Sequence, residues 1–306
     1  MSKRIFVVVT LLMLAACSTP SHVQLADAAF DSRVRDPRFP RRNVTLLFDD
    51  AHENFHRSDG RYAPFVTLMK NDGLAVRSNT SVFTEESLSG HDVLVIVNAE
   101  GAEPASSAFT EAEVNAVSSW VQDGGGLLLV ADHSPFGIAA NALSERLGVR
   151  MLDGHLKDAQ NSDPDLPGPF FLLFTRENGL LGVHEILAGR REEERIERIV
   201  TFGGQALLPS IPVQTLLALS ASAEIVKDRD KPESGEPIPP GAVQAVAFEL
   251  GRGRVVILGE AAALTAQVIT GDAAKAAGKE ELRIGMSRGD LDNKQFALNI
   301  VRWLAR

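Results

Sequence analysis

Cysteine and tyrosine occur once each in 306 residues, as Cys17 and Tyr62. With a single thiol there is no internal disulfide, so the fold must be held by its core, and no cysteine downstream of residue 17 can act as a nucleophile. Basic residues are also in deficit, 31 Lys and Arg against 40 Asp and Glu, for a formal charge of −9. That balance excludes a nucleic-acid partner held by phosphate neutralisation. No long apolar run follows the first twenty residues, and no internal repeat is present. His52-Glu53-Asn54-Phe55-His56 has the His-Glu-x-x-His spacing but reads as a polar loop past a strand, not the helix on which that motif binds a metal. A phosphate loop is missing: Gly124-Gly125-Gly126 lacks its Lys-Ser/Thr and precedes a strand, so it reads as a turn. What remains, 44% hydrophobic and 23% charged residues, is the balance of a globular domain rather than a disordered chain.

The amino terminus reads as a processing signal. Lys3 and Arg4 precede the apolar run Ile5 to Met13, which is short for a spanning helix. Leu14-Ala15-Ala16-Cys17 resembles a bacterial lipoprotein box. The resemblance implies that residues 1–16 are a signal peptide and that Cys17 is lipidated and becomes the mature first residue. Ser18 beside it implies an outer-membrane address facing the periplasm. Residues 17–42, with Pro20, Pro37 and Pro40, read as a tether from membrane to domain.

From residue 43 the pattern is strand and helix in alternation. Val44 to Asp50, Leu74 to Arg77, Val93 to Val97, Leu127 to Val130 and Val255 to Leu258 are short runs that fit strands buried on both faces. Thr110-Glu111-Ala112-Glu113 is a capping box ahead of a helix with Val114, Val117, Trp120 and Val121 on one face. Gly251-Arg252-Gly253 is a turn, and Asp292 with Gln295 predicts a capped final helix through Leu304. Residues 155–169, 227–241 and 271–289 read as loops. The βαβ succession predicts one α/β domain, 43–306, around a parallel sheet.

The motifs Phe48-Asp49-Asp50-Ala51-His52-Glu53-Asn54, Ala131-Asp132-His133-Ser134-Pro135-Phe136-Gly137 and Phe174 to Leu181 resemble class I glutamine amidotransferase-like domains. The closing Gly251 to Glu260 and Asp292 to Leu304 carry the same resemblance. It implies a flavodoxin-like three-layer sandwich with a mostly parallel sheet. The nucleophilic cysteine of true amidotransferases is absent, which excludes glutamine hydrolysis by the usual Cys–His route.

Parallel strands place their carboxyl ends along one rim, where open α/β sheets bind ligands. That rim would gather Asp49, Asp50, His52, Glu53 and His56, then Asn98 with Glu100, then Asp132 and His133, then Glu260. Carboxylates with imidazoles suit general acid–base chemistry by Asp50, His52, Asp132, His133 and Glu260. They also suit a divalent Zn, Mn or Fe ion held by Asp50, His52, His56, Asp132 and His133. The bland reading is that these groups cap helices and tie loops at the sheet edge. Ser134 follows Asp132 and His133, but adjacent side chains on an extended segment point apart, and Pro135 departs from a nucleophile elbow. His155 with Asp158, and His184, are weaker candidates, and Glu192-Glu193-Glu194 reads as a solvated face. Two functions follow: a hydrolase, metal-assisted or not, or a non-catalytic domain binding a small molecule, glycan or protein in the same crevice.

Overall fold

Every residue of Val93–Val97 and of Gly126–Val130 is buried, which requires cover on both faces of the sheet. The computed structural model describes residues 22–41, 43–103 and 106–306; the signal segment and Cys17 lie outside the described residues. A nine-stranded central sheet runs Ala75–Asn79, Thr45–Asp49, Val93–Val97, Gly126–Val130, Gly253–Leu258, Val243–Leu250, Ala206–Pro209, Val149–Leu152, with Gln214–Ala218 also paired to Val243–Leu250. The first five of these are mutually parallel. From Val243–Leu250 onward every pairing is antiparallel.

The protein is therefore a mixed α/β fold with a central mixed sheet, which corrects the mostly parallel, flavodoxin-like expectation. The reason lies at Gly251-Arg252. Two residues separate Leu250 from Gly253, and so short a connection joins only antiparallel neighbours. Gly251 takes φ +61, the left-handed conformation that such a turn favours in glycine.

Alternation along the parallel strands divides the core. Leu46, Phe48, Val95, Leu128 and Val256 face the helices Ala63–Asn71 and Asn293–Leu304. Leu47, Leu94, Ile96, Leu129 and Ile257 face Glu111–Gln122 and Phe136–Arg146. The Thr110 capping box forms as predicted, with Thr110 and Glu113 exchanging side-chain and backbone hydrogen bonds.

Four local expectations are corrected. The tether is partly folded, because His22–Ala26 pairs with Ala266–Gly271. The stretch 271–289 is not a loop but a short helix, Asp272–Ala276, and a strand, Glu281–Gly285, which completes a second, three-stranded sheet. Asp292 does not cap its helix through its side chain; the carboxylate instead accepts from the amides of Glu197 and Arg198, 2.7 and 2.9 Å away. Glu194 is buried rather than solvated. It accepts from Arg302 Nη1 at 3.0 Å, while Asp72 accepts from the same guanidinium at 2.7 and 2.8 Å.

This network binds the carboxyl-terminal helix to the end of Ala63–Asn71 and to the incoming segment, whose Arg38 amide donates to Asp72 at 2.8 Å. Arg302→Ala would leave the buried Asp72 carboxylate without its cation, while Glu194 keeps Arg190, and a loss of about 3–5 kcal/mol in urea unfolding is the expected outcome.

Candidate functional site

The four strands ending at Asp49, Val97, Val130 and Leu258 do point the same way. Their polar residues nevertheless divide into two groups, one spent on structure and one facing a cavity.

The spent group surrounds Asp49. His52 Nδ1 meets both Asp49 carboxylate oxygens at 2.9 Å, and Nε2 meets Glu113 Oε1 at 2.8 Å. The ring lies between Phe83 and Phe109, with centroids 4.6 and 4.9 Å away. Burial opposes a charge on His52, but the two carboxylates outweigh it and its pKa is raised. Asn54 and Asn79 donate to the remaining Asp49 lone pairs at 3.0 and 3.2 Å. Asp50 is equally committed. It accepts from Ser58 Oγ and Ser78 Oγ at 2.5 Å and from the Ser58 amide at 2.9 Å.

The second group lines a cavity of about 730 Å³ between the rim and the three-stranded sheet. Asn98 adopts φ +44 at the end of its strand, a left-handed turn that Asn tolerates better than most residues. Its Oδ1 accepts from the Asp132 amide at 2.9 Å and so fixes where Asp132 stands. Glu260 is fully buried, each carboxylate oxygen accepting a backbone N–H at 2.7 Å, from Ala262 and from Ala263. Burial and the neighbouring Asp132 push Glu260 up to about 8, and burial raises Asp132 too. The two carboxyls thus act as one unit holding one proton near neutral pH. Both Glu260 oxygens accept from amides, whereas Asp132 accepts only from the His133 amide, through Oδ1 at 2.9 Å, which leaves Oδ2 free.

His56 is 3% exposed and also lines the cavity. Burial first, and then Arg61, lower it to about 3, so the imidazole is neutral, and its Nδ1 has no partner among the described residues. Gln267 Oε1, on the three-stranded sheet, is likewise buried and unpartnered there. His133 Nδ1 lies 2.8 Å from the Ser134 carbonyl and so donates to it, leaving Nε2 open. Its ring centroid lies 4.3 Å from that of His155, the planes tilted by 41°, and burial, with His133 next, lowers His155 to about 4. Ser134 is exposed and does not line the cavity. Asp158 is saturated by Ser220, Ser222 and Asn161, and His184 accepts the Ile186 amide at its own helix start.

The structure therefore brings Asp132, His133, His56 and Glu260 to one cavity and turns Asp50 and His52 elsewhere. Among the described residues no three of His, Cys, Asp and Glu are grouped to hold a metal ion. The metal set Asp50, His52, His56, Asp132 and His133 is corrected on that ground: serine hydroxyls occupy Asp50, and two carboxylates occupy His52. Sequence reasoning missed Arg61, Arg229, Gln267 and the phenylalanines 55, 136, 170, 171 and 202, all of which line the cavity. Arg229 falls in a stretch read as a loop, and no local pattern flagged it.

A family model described as a domain of unknown function (DUF4350) matches residues 54–269, and the chain belongs to that family. No curated protein matches the sequence. Among solved structures, the IFT52 N-terminal domain is similar over 85% of this chain and 97% of its own, at 14% identity and a TM-score of 0.57. A ThuA-like protein from Bacteroides uniformis aligns over 89% of this chain and 93% of its own, at 14% identity and a TM-score of 0.43. A cytoplasmic protein from Salmonella typhimurium aligns over 86% and 99%, at 13% identity and a TM-score of 0.44. The resemblance to class I glutamine amidotransferases is overturned by the family match and by the mixed sheet.

The His52 knot sets a pH window for stability. A raised imidazole pKa gives stability that is complete below the unfolded value and is lost as pH rises through the folded one. Glu113 is lowered, despite burial, by His52 and its amide partners, so its contribution is lost as pH falls through its folded value. Urea midpoints should therefore fall on both the alkaline and the acid side of this window. His52→Gln should flatten the alkaline limb and cost about 3–5 kcal/mol at its optimum. The raised Asp132–Glu260 pair adds an alkaline loss of the same sign, which Asp132→Asn would remove separately.

Proposed function

We propose that this DUF4350 chain binds a small organic molecule in the cavity at the carboxyl rim of its parallel strands, held at the cell envelope by a lipid on Cys17. One observation carries the binding reading: a cavity with Phe55, Phe136, Phe170, Phe171 and Phe202 in its wall, at which Asn98, Asp132, His133 and Glu260 converge. A cleft with apolar walls and a few convergent polar groups is the usual form of a small-molecule site. The size is suitable, since small-molecule pockets span about 300–1,000 Å³.

A second reading, hydrolysis without a metal, is favoured by the proton-sharing pair. The protonated member of the pair would give its proton to a leaving group, and the ionised member would take one from the water whose oxygen forms the new bond. Two carboxyl groups in unequal states are what such a step requires, and they stand in this cavity.

Ile269, half-buried on the three-stranded sheet, lines the cavity, and Ile269→Trp would fill it. In a thermal-shift screen of fragments, stabilising compounds are expected with the native chain and not with Ile269→Trp. A set that stabilises both equally would sink the binding reading. Turnover of ester, amide, glycoside or phosphate substrates that falls about a hundredfold or more in Asp132→Asn would decide for hydrolysis.

The envelope address rests on Leu14-Ala15-Ala16-Cys17. Cells fed an alkyne fatty acid should label the native chain and not Cys17→Ser, and the variant should leave the membrane fraction. Equal labelling of both would refute the anchor.

A further inference from the structure

Two arginines of the cavity wall make no ion pair among the described residues. Arg190, Arg283, Arg288 and Arg302 each meet a carboxylate. Arg61 and Arg229 line the cavity, and among the described residues neither makes an ion pair or a side-chain hydrogen bond. Each lies instead over a phenylalanine, Arg61 at 5.0 Å from the Phe55 ring centroid and Arg229 at 4.7 Å from that of Phe170. A guanidinium laid on an aromatic face keeps its in-plane N–H donors free. The two come from different parts of the chain, so one local sequence feature does not account for both.

Asp132, Glu260 and Asp230 act on Arg229 electrostatically, but among the described residues none of them forms an ion pair with it. Glu260 is already held by the amides of Ala262 and Ala263. Two guanidiniums thus stand at the cavity wall with free donor edges, beside a neutral His56 and the apolar Phe136, Phe202 and Ile284.

We propose that the ligand is an organic monoanion: an apolar, ring-bearing or alkyl body with one carboxylate or sulfonate head. This rests on the cavity being a ligand site. The head would be taken by the free edges of Arg61 and Arg229 near the mouth, and the body would lie among the phenylalanines. A neutral ligand would leave both guanidinium edges without a charged partner, and an amine would be repelled by them.

The test uses the purified full chain and three matched probes: naphthaleneacetate, naphthaleneacetamide and 2-naphthylethylamine, titrated by calorimetry at low and high salt. The acid should bind at least about tenfold tighter than the amide, the worth of one charge-assisted hydrogen bond, and the amine should bind weakest. Arg61→Met with Arg229→Met should bring the acid down to the level of the amide and leave the amide unchanged, a loss that unfolding would not mimic. If acid and amide bind equally, or if the preference for acid survives the double substitution, the anion inference is overturned while the cavity reading stands. Binding of all three that is indifferent to Ile269→Trp overturns the cavity reading itself, and so does binding of none.

Discussion

Parallel strands that share a direction must all end at one rim, and at that rim backbone and side-chain polar groups lose the ladder that satisfied them. Much of the architecture answers that constraint. Asp49, at the end of the first parallel strand, collects His52, Asn54 and Asn79, and His52 reaches on to Glu113 at the start of the next layer's helix. A single buried imidazole thus joins the sheet to Glu111–Gln122. Asn98 does the same for the neighbouring strand by turning left-handed and accepting the Asp132 amide. Without these ties the loops that carry Asp132 and His133 would have no fixed height above the sheet.

The same constraint explains why the sheet changes character halfway. Five parallel strands supply the rim, and the Gly251-Arg252 reversal then sends the chain back through antiparallel partners. The antiparallel half is joined to the site by Gln205, whose Nε2 donates to the Ala131 carbonyl at 2.8 Å. The three-stranded sheet, built from His22–Ala26 and the stretch 266–285, lies over the rim and contributes Gln24, Gln267 and Ile284 to the cavity wall. Two sheets of different strand direction therefore enclose a space that neither would form alone.

Much of this was legible in the sequence where a period or a cap carries the signal. Val93–Val97 and Gly126–Val130 read as doubly buried strands because every position is apolar, and Thr110 with Glu113 read as a capping box because spacing alone defines one. Direction was not legible. An apolar run specifies burial and says nothing of whether its neighbour is parallel, so the antiparallel half was missed except where Gly251-Arg252-Gly253 forced a hairpin. The strand Glu281–Gly285 was missed because Leu282 and Ile284 alternate with charged Glu281 and Arg283 over too short a span to stand out. Glu194 was misjudged because a run of three acids resembles solvated surface, and only the distant Arg302 shows otherwise.

The candidate site was half legible for a related reason. Acids and imidazoles crowd strand ends whether they bind a ligand or hold the fold, and their density cannot separate the two uses. Satisfaction can. His52 and Asp50 have every hydrogen-bonding atom answered from within the chain, so their chemistry is consumed by structure. Among the described residues His56 and Gln267 have atoms that are not answered, and Arg61 and Arg229 rest on ring faces rather than carboxylates. An unpaired buried nitrogen costs about 1–3 kcal/mol, a large fraction of an ordinary marginal stability. Unanswered donors and acceptors, and not the density of acids, are therefore what separate the cavity from the Asp49 knot.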